Sequence, residues 1–183
     1  AVELAQKIFS SLAEHQVIVL GAGDTSEKTA RALLSRGARG IIVSNRSHER
    51  AVALARELGG QAVHFDQWFD QFPAIDIVIS STAAPHYVIH PRMLERMMKA
   101  RKNRPLLLID LAVPRDIDPD IKLLDNVYLY NIDDLQEIAD NYLQQRKEEI
   151  ARCQLIISQK AKLIMLAVLP DGMCGSQLLF ENG

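Results

Sequence analysis

The chain has 183 residues, 48% of them hydrophobic and 24% charged, with 21 basic against 23 acidic side chains and a formal net charge of −2. That length holds a core without staples, and two cysteines, Cys153 and Cys174, cannot build a disulfide scaffold or a zinc cage, so the cytoplasm is the expected compartment. The near-neutral balance excludes nucleic-acid binding by bulk electrostatics alone, and no apolar run reaches the roughly 18–20 residues of a membrane span. Residues 1–14 place Val2, Leu4, Ala5, Ile8, Phe9 and Leu12 at helical spacing, which predicts an entering helix. Its text has no basic region followed by an apolar one, as a secretory signal would, and the missing start Met is expected of a piece of a longer protein. Apolar runs follow at 17–20, 41–44, 62–65, 75–80, 106–110 and 127–130, most of them continuous rather than alternating. Strands of that kind are buried on both faces, so residues 15–132 are expected to form a doubly wound, Rossmann-type α/β domain with a mostly parallel six-stranded sheet.

Helix-like stretches separate these runs. One starts near Asp24–Ser26, turns Ala30, Leu33 and Leu34 inward and stops at Gly37. The next takes Ser47 as N-cap, carries Ala51, Leu54, Ala55 and Leu58, and stops at Gly59 and Gly60. The connection at 66–72 is short and aromatic. Pro91 opens a further helix with Met93, Leu94, Met97 and Met98 inward. After Tyr130, Asp133 and Asp134 are expected to cap a long helix over 133–169, with Leu135, Ile138, Tyr142, Ile150, Cys153, Ile157 and Ile164 along its apolar face. That is longer than a covering helix needs to be, so part of it is expected to project toward another domain or subunit. Residues 170–183 form an unspecified tail.

The chemistry concentrates in four loops. The first strand runs into Gly21-Ala22-Gly23-Asp24-Thr25-Ser26 and then a helix, the context that gives a G-x-G-x-x-G match its meaning. Gly21 allows the tight turn and Gly23 lets backbone approach a pyrophosphate resting on the helix N-terminus. The third glycine is replaced by Ser26, whose side chain either crowds the helix or donates to a phosphate oxygen. At the end of the second strand, where an acid would hold the ribose 2′-hydroxyl of NAD, stands Ser44-Asn45-Arg46-Ser47. A guanidinium and hydroxyls at a helix start suit a 2′-phosphate, which predicts NADPH over NADH. The bland alternative is a turn and cap with a solvated Arg46. Ser81, Thr82 and Ala83 after the fourth strand, and Ala112, Val113 and Pro114 after the fifth, are expected to line the nicotinamide-ribose half or to be plain polar turns. His86 and His90 are four apart, but Pro85 and Pro91 on either side argue against a shared helix face, so no metal site is expected. Six basic residues between Arg92 and Arg104 read as a solvated helix face or, less readily, an RNA contact. Cys153 has no neighbouring His and reads as a packing residue.

In order and spacing, GAGDTSEKTARALLSRG, SNRS, DIVISSTAAPH, LLLIDLAVPRDIDP and VYLYNIDDLQEI resemble the NADPH-binding domain of the glutamyl-tRNA reductase family. The resemblance covers residues 1 to about 165 and departs from the family's pattern at Ser26. It implies a three-domain homodimer strung along a spinal helix, which 133–168 resembles. It also implies reduction of glutamyl-tRNA to glutamate-1-semialdehyde in tetrapyrrole (porphyrin, haem) biosynthesis, and a downstream aminomutase partner. The family's catalytic cysteine belongs to a Thr-Cys-Asn-Arg type motif that nothing here matches, so neither Cys153 nor Cys174 inherits the role and the chain alone is expected to be inactive. The rivals are a shikimate-dehydrogenase type enzyme, whose substrate-domain Lys and Asp pair is not found, and a non-catalytic dinucleotide-sensing or oligomerisation module built on the long helix.

Overall fold

The computed structural model describes residues 1–168, so the tail expected at 170–183, Cys174 included, lies outside the described residues. The elements run α1 (Val2–Phe9), β1 (Gln16–Leu20), α2 (Asp24–Ser35), β2 (Gly40–Asn45), α3 (His48–Glu57), β3 (Gln61–His64), α4 (Trp68–Gln71), β4 (Ile75–Ser80), α5 (Pro91–Ala100), β5 (Leu106–Asp110), β6 (Val127–Asn131) and α6 (Ile132–Val168). Short 3-10 turns occupy Phe72–Ala74 and Pro119–Leu123. The strands form one sheet in the order β3-β2-β1-β4-β5-β6, every neighbouring pair parallel. The doubly wound expectation is met, with a sheet wholly rather than mostly parallel.

Alternation along each strand sends successive side chains to opposite faces, and each face has its own core. Val17, Val19, Ile77 and Ile79 meet Ala30 and Leu33 of α2 and Leu54 of α3 on one side. Ile18, Leu20, Val78 and Leu108 meet Leu94 and Met98 of α5 on the other. The aromatic connection at 66–72 joins this second core, because Trp68 and Phe72 turn inward and are fully covered.

At the amino ends of the strands the solvated reading of the basic run holds for Arg92, Arg96, Lys99, Lys102 and Arg104, which are exposed, and needs correction at one residue. Arg101 is buried; it donates to Asp76 Oδ1 (3.0 Å), to the Phe72 carbonyl (3.1 Å) and to the Pro105 carbonyl (3.0 Å). Asp76, itself buried in β4, also meets Arg104 at 3.2 Å and His15 Nδ1 at 3.1 Å. A carboxylate inside a sheet needs compensating charge and donors, and the α5–β5 connection supplies them. Burial pushes the Arg101 guanidinium below its ordinary value, while its bond to Asp76 works in the opposite direction.

The described chain divides into two compact units, Ala1–Gln136 and the residues from Glu137 onward. Asn131, not Asp133 or Asp134, caps α6. Its Oδ1 accepts from the amides of Asp133 (2.8 Å) and Asp134 (3.0 Å), and Asp134 Oδ2 accepts from the Asn131 amide (2.9 Å). This reciprocal capping box starts the helix directly off β6. In the second unit the side chains from 139 to 167 are exposed, among them Ile150, Ile157 and Ile164 of the expected apolar face. The reading of Cys153 as a packing residue is corrected with them: its thiol is exposed. No helix among the described residues is long and apolar enough to cross a membrane.

Candidate functional site

The strand order reverses between β1 and β4, whose onward helices α2 and α5 cover opposite faces. Such a switch point leaves a crevice beyond the carboxyl ends of the strands, where doubly wound sheets bind ligands. The ladder continues past the strand ends to bring the loops together: the Gly21 amide donates to the Ser44 carbonyl, Ser81 to Leu20 and Leu111 to Ser80, each at 2.8 Å.

Gly21 has φ +97°, and a Cβ there would lie 2.1 Å from the Ser81 carbonyl oxygen. Only glycine lets the first turn close onto the loop after β4. Gly23, the N-cap of α2, is extended, and a Cβ there would meet only Ser81 Oγ at 3.6 Å. The first helical bond runs from the Glu27 amide to the Gly23 carbonyl (3.0 Å), so the amides of Asp24, Thr25 and Ser26 have no intrahelical acceptor. Half-buried Ala22 and Gly23 with exposed Asp24 and Thr25 form an open backbone lip. Such a lip fits a dinucleotide pyrophosphate. The Ser26 side chain is corrected as a phosphate donor. It is fully buried, donates to the Gly23 carbonyl (2.8 Å) and accepts from the Gly23 amide (3.2 Å), so it rigidifies the turn from within.

The side chains of the SNRS segment divide in the same way. Ser44 lies buried in β2 and its hydroxyl donates to the His64 carbonyl (3.4 Å), which removes it from the expected phosphate contact. Half-buried Asn45 donates to the Ser47 carbonyl (3.3 Å), and Ser47 caps α3 by accepting from the Arg50 amide at 3.4 Å. Arg46 is exposed, with no ion pair or side-chain hydrogen bond among the described residues. Arg50, missed by the sequence reading, is exposed in the first turn of α3 and lines one pocket with Ala22 of the glycine turn. A basic residue in the first turn of the helix that follows the SNRS turn was the signal that could have found it.

The loops after β4 and β5 are tied by two buried carboxylates. Asp116 accepts from Ser80 Oγ (2.7 Å), the Thr82 amide (2.7 Å) and Thr82 Oγ1 (2.5 Å). Asp110 accepts from the amides of Ala112 (3.0 Å), Asp116 (3.1 Å) and Ile117 (3.1 Å). The Thr82 hydroxyl also accepts from the Ala84 amide (3.1 Å), so its donor and acceptor are both spent internally, and Ala112 is buried; neither side chain offers the expected cofactor contact. Ser81 is half-buried, while Ala83, Val113 and Pro114 are exposed, Pro114 after a cis peptide bond. Burial pushes the Asp110 carboxyl above its ordinary value, the three amides pull it down and the Asp116 carboxylate adds to the rise. The folded state therefore holds this proton more tightly than the unfolded chain does. The stabilisation is fully present below the ordinary Asp value and is lost as pH rises through the raised one. Urea denaturation at a series of pH values should show the wild type losing stability relative to Asp110→Asn across that window, and parallel profiles would refute the assignment.

Two histidines stand beside the SNRS segment, His48 directly after Ser47 and His64 opposite Asn45 in the β2–β3 ladder. His48 and His64 stack at 3.8 Å, and His90 lies 3.8 Å from Asp118. Among the described residues no group of three or more His, Cys, Asp or Glu side chains could hold a metal ion.

Fold and loops together define a doubly wound dinucleotide-binding domain. The family model described as "Shikimate / quinate 5-dehydrogenase" matches residues 3–138, and the chain belongs to that family. Among curated relatives it is 48% identical over 160 residues to the glutamyl-tRNA reductase of Geobacter sulfurreducens, covering 87% of this chain and 37% of that protein. To the glutamyl-tRNA reductase of Akkermansia muciniphila it is 50% identical over 157 residues, 86% of this chain and 46% of that one. The chain thus spans less than half the length of these relatives. The solved glutamyl-tRNA reductase from Methanopyrus kandleri superposes with a TM-score of 0.78 at 40% identity, over 91% of this chain and 42% of that one. The nucleotide-binding domain of the Thermoplasma volcanium enzyme shares the fold, with a TM-score of 0.62 at 19% identity over 80% of this chain and 93% of that one.

Proposed function

We propose that the chain is the NADPH-binding domain of a glutamyl-tRNA reductase, acting in the cytoplasm. The observation that carries the cofactor choice is the end of β2: the position that would bear an acid for NAD bears Arg46, exposed and unpaired among the described residues, beside the α3 N-terminus. A carboxylate there would repel a 2′-phosphate, whereas Arg46, Ser47 and Arg50 attract one. Gly21, Ala22, Gly23 and the amides of Asp24–Ser26 would hold the pyrophosphate, and Ser81, Ala83, Val113 and Pro114 would face the nicotinamide half. When bound, NADPH supplies the hydride for reducing glutamyl-tRNA. This chain's residues hold and orient the dinucleotide, and neither cysteine serves as nucleophile. The exposed apolar side chains along α6 suit a spinal helix of a homodimer, and a downstream aminomutase would receive the aldehyde product.

Calorimetric titration of the purified chain tests the reading. NADPH should bind more tightly than NADH, and Arg46→Ala should weaken NADPH about tenfold, the worth of a charge-assisted hydrogen bond, with NADH unaffected. Equal wild-type affinities would reject Arg46 as a 2′-phosphate ligand.

A further inference from the structure

We infer that Asp116 is a positioning residue for the nicotinamide half of the dinucleotide, acting by locking the loop after β4 onto the loop after β5; this rests on the dinucleotide reading above. Asp116 is fully buried, and no Arg, Lys or His among the described residues forms an ion pair with it. Its carboxyl oxygens are met by neutral donors: the Ser80 hydroxyl, the Thr82 hydroxyl and the Thr82 amide. A buried carboxyl is costly unless it is hydrogen-bonded, and here all three of its donors come from one short segment of the cleft wall. Its own backbone reaches two other segments. The Asp116 amide donates to Asp110 at 3.1 Å, and its carbonyl accepts from Val88 (2.6 Å) and Ile89 (3.1 Å).

The segment held in this way matters to the cleft. Ser80 and Thr82 flank Ser81, whose carbonyl abuts Gly21 and whose hydroxyl faces Gly23. Asp110, through the Ala112 amide, holds the start of the exposed Val113-Pro114 tip, and in the β4–β5 ladder Asp110 pairs with Ser80, the residue before Ser81. Asp116 therefore sets the spacing between two lips of the cleft on the β4–β5 side. Arg46 and the 2′-phosphate end lie on the β2 side, across β1. The lock acts directly on the β4–β5 side, away from the 2′-phosphate end, so the two halves of the dinucleotide should report on it differently.

The test uses the chain as it stands and two ligands, NADPH and 2′,5′-ADP, which carries the adenine half and its 2′-phosphate but no nicotinamide. Asp116→Asn, which puts an NH₂ group among three donors, should weaken NADPH about tenfold while 2′,5′-ADP binds as to the wild type. Thr82→Val, which keeps the shape and removes the hydroxyl, should act in the same direction, and Thr82→Ser should restore wild-type binding. If Asp116→Asn does not fold, the Thr82 pair carries the test. A parallel loss of both ligands would show a merely structural role and overturn the inference, as would unchanged NADPH binding in Asp116→Asn and Thr82→Val. A wild-type chain that binds neither ligand would overturn the dinucleotide reading and the inference with it, an outcome distinct from the other two.

Discussion

Replacing Arg101 with leucine should destabilise the first unit by about 3 kcal/mol, because it leaves the Asp76 carboxylate buried with part of its compensation removed. That figure sits at the low end of what breaking a buried pair costs, since Arg104 at 3.2 Å and His15 at 3.1 Å remain beside Asp76. Part of the loss is not electrostatic. Arg101 also joins the carbonyls of Phe72 and Pro105, and its guanidinium lies 5.5 Å from the centroid of the Phe72 ring. Lysine should rescue poorly, because a single ammonium cannot replace a planar fork serving three acceptors. Removing both charges, in Arg101→Leu with Asp76→Leu, should recover stability relative to Arg101→Leu alone, as expected when a buried ion is costlier than an apolar replacement. Chemical denaturation of the three variants checks this. Equal stability of Arg101→Leu and wild type would return Arg101 to the solvated face from which the structure removes it.

A Gly21→Ala substitution should have the largest effect on binding. It combines a backbone angle that L-residues rarely adopt with a Cβ 2.1 Å from the Ser81 carbonyl oxygen and 2.7 Å from its carbon. Both obstacles are backbone, so no side chain can swing aside. Strain and overpacking each cost about 1–3 kcal/mol, and the loop must open to relieve them. The glycine turn then parts from the β4 loop, and NADPH binding should fall at least about a hundredfold, the equivalent of about 2.7 kcal/mol. Gly37→Ala is the control. Gly37 has φ +92°, but a Cβ there would have nothing within 4 Å, so only the backbone term applies, about 1 kcal/mol with cofactor affinity intact. Calorimetry and thermal melts on the pair separate conformational strain from the closure of the cleft. Wild-type affinity in Gly21→Ala would contradict the close approach to Ser81.

Much of this was readable along the chain because it depends on neighbours in sequence. Val17-Ile18-Val19-Leu20 followed by Gly21-Ala22-Gly23 specifies a buried strand and a turn without reference to distant residues. Ser47 caps α3 as read, through an amide three residues away. Errors gathered where a polar residue has two local uses. Asp133 and Asp134 have the right chemistry for a cap, yet Asn131, the last residue of β6, starts the helix two residues earlier. Ser26, Ser44 and Thr82 carry hydroxyls at cleft positions, and in each case the hydroxyl is spent on backbone or on Asp116. The pattern shows that a hydroxyl stands near the cleft, and not which way it turns.

By itself the sequence determined the order of elements, the parallel doubly wound class, the glycine turn and the absence of an acid after β2, since each follows from local periodicity, backbone preference or side-chain charge. Only the tertiary structure decided that Arg101 is interior, that Arg46 is exposed while Ser44 is covered, and that Asp116 reaches back 36 residues to Ser80. Those outcomes depend on which strands become neighbours. The pairing of β4 between β1 and β5 brings distant loops within hydrogen-bonding reach, and burial there makes each polar group find a partner at whatever sequence distance the sheet provides.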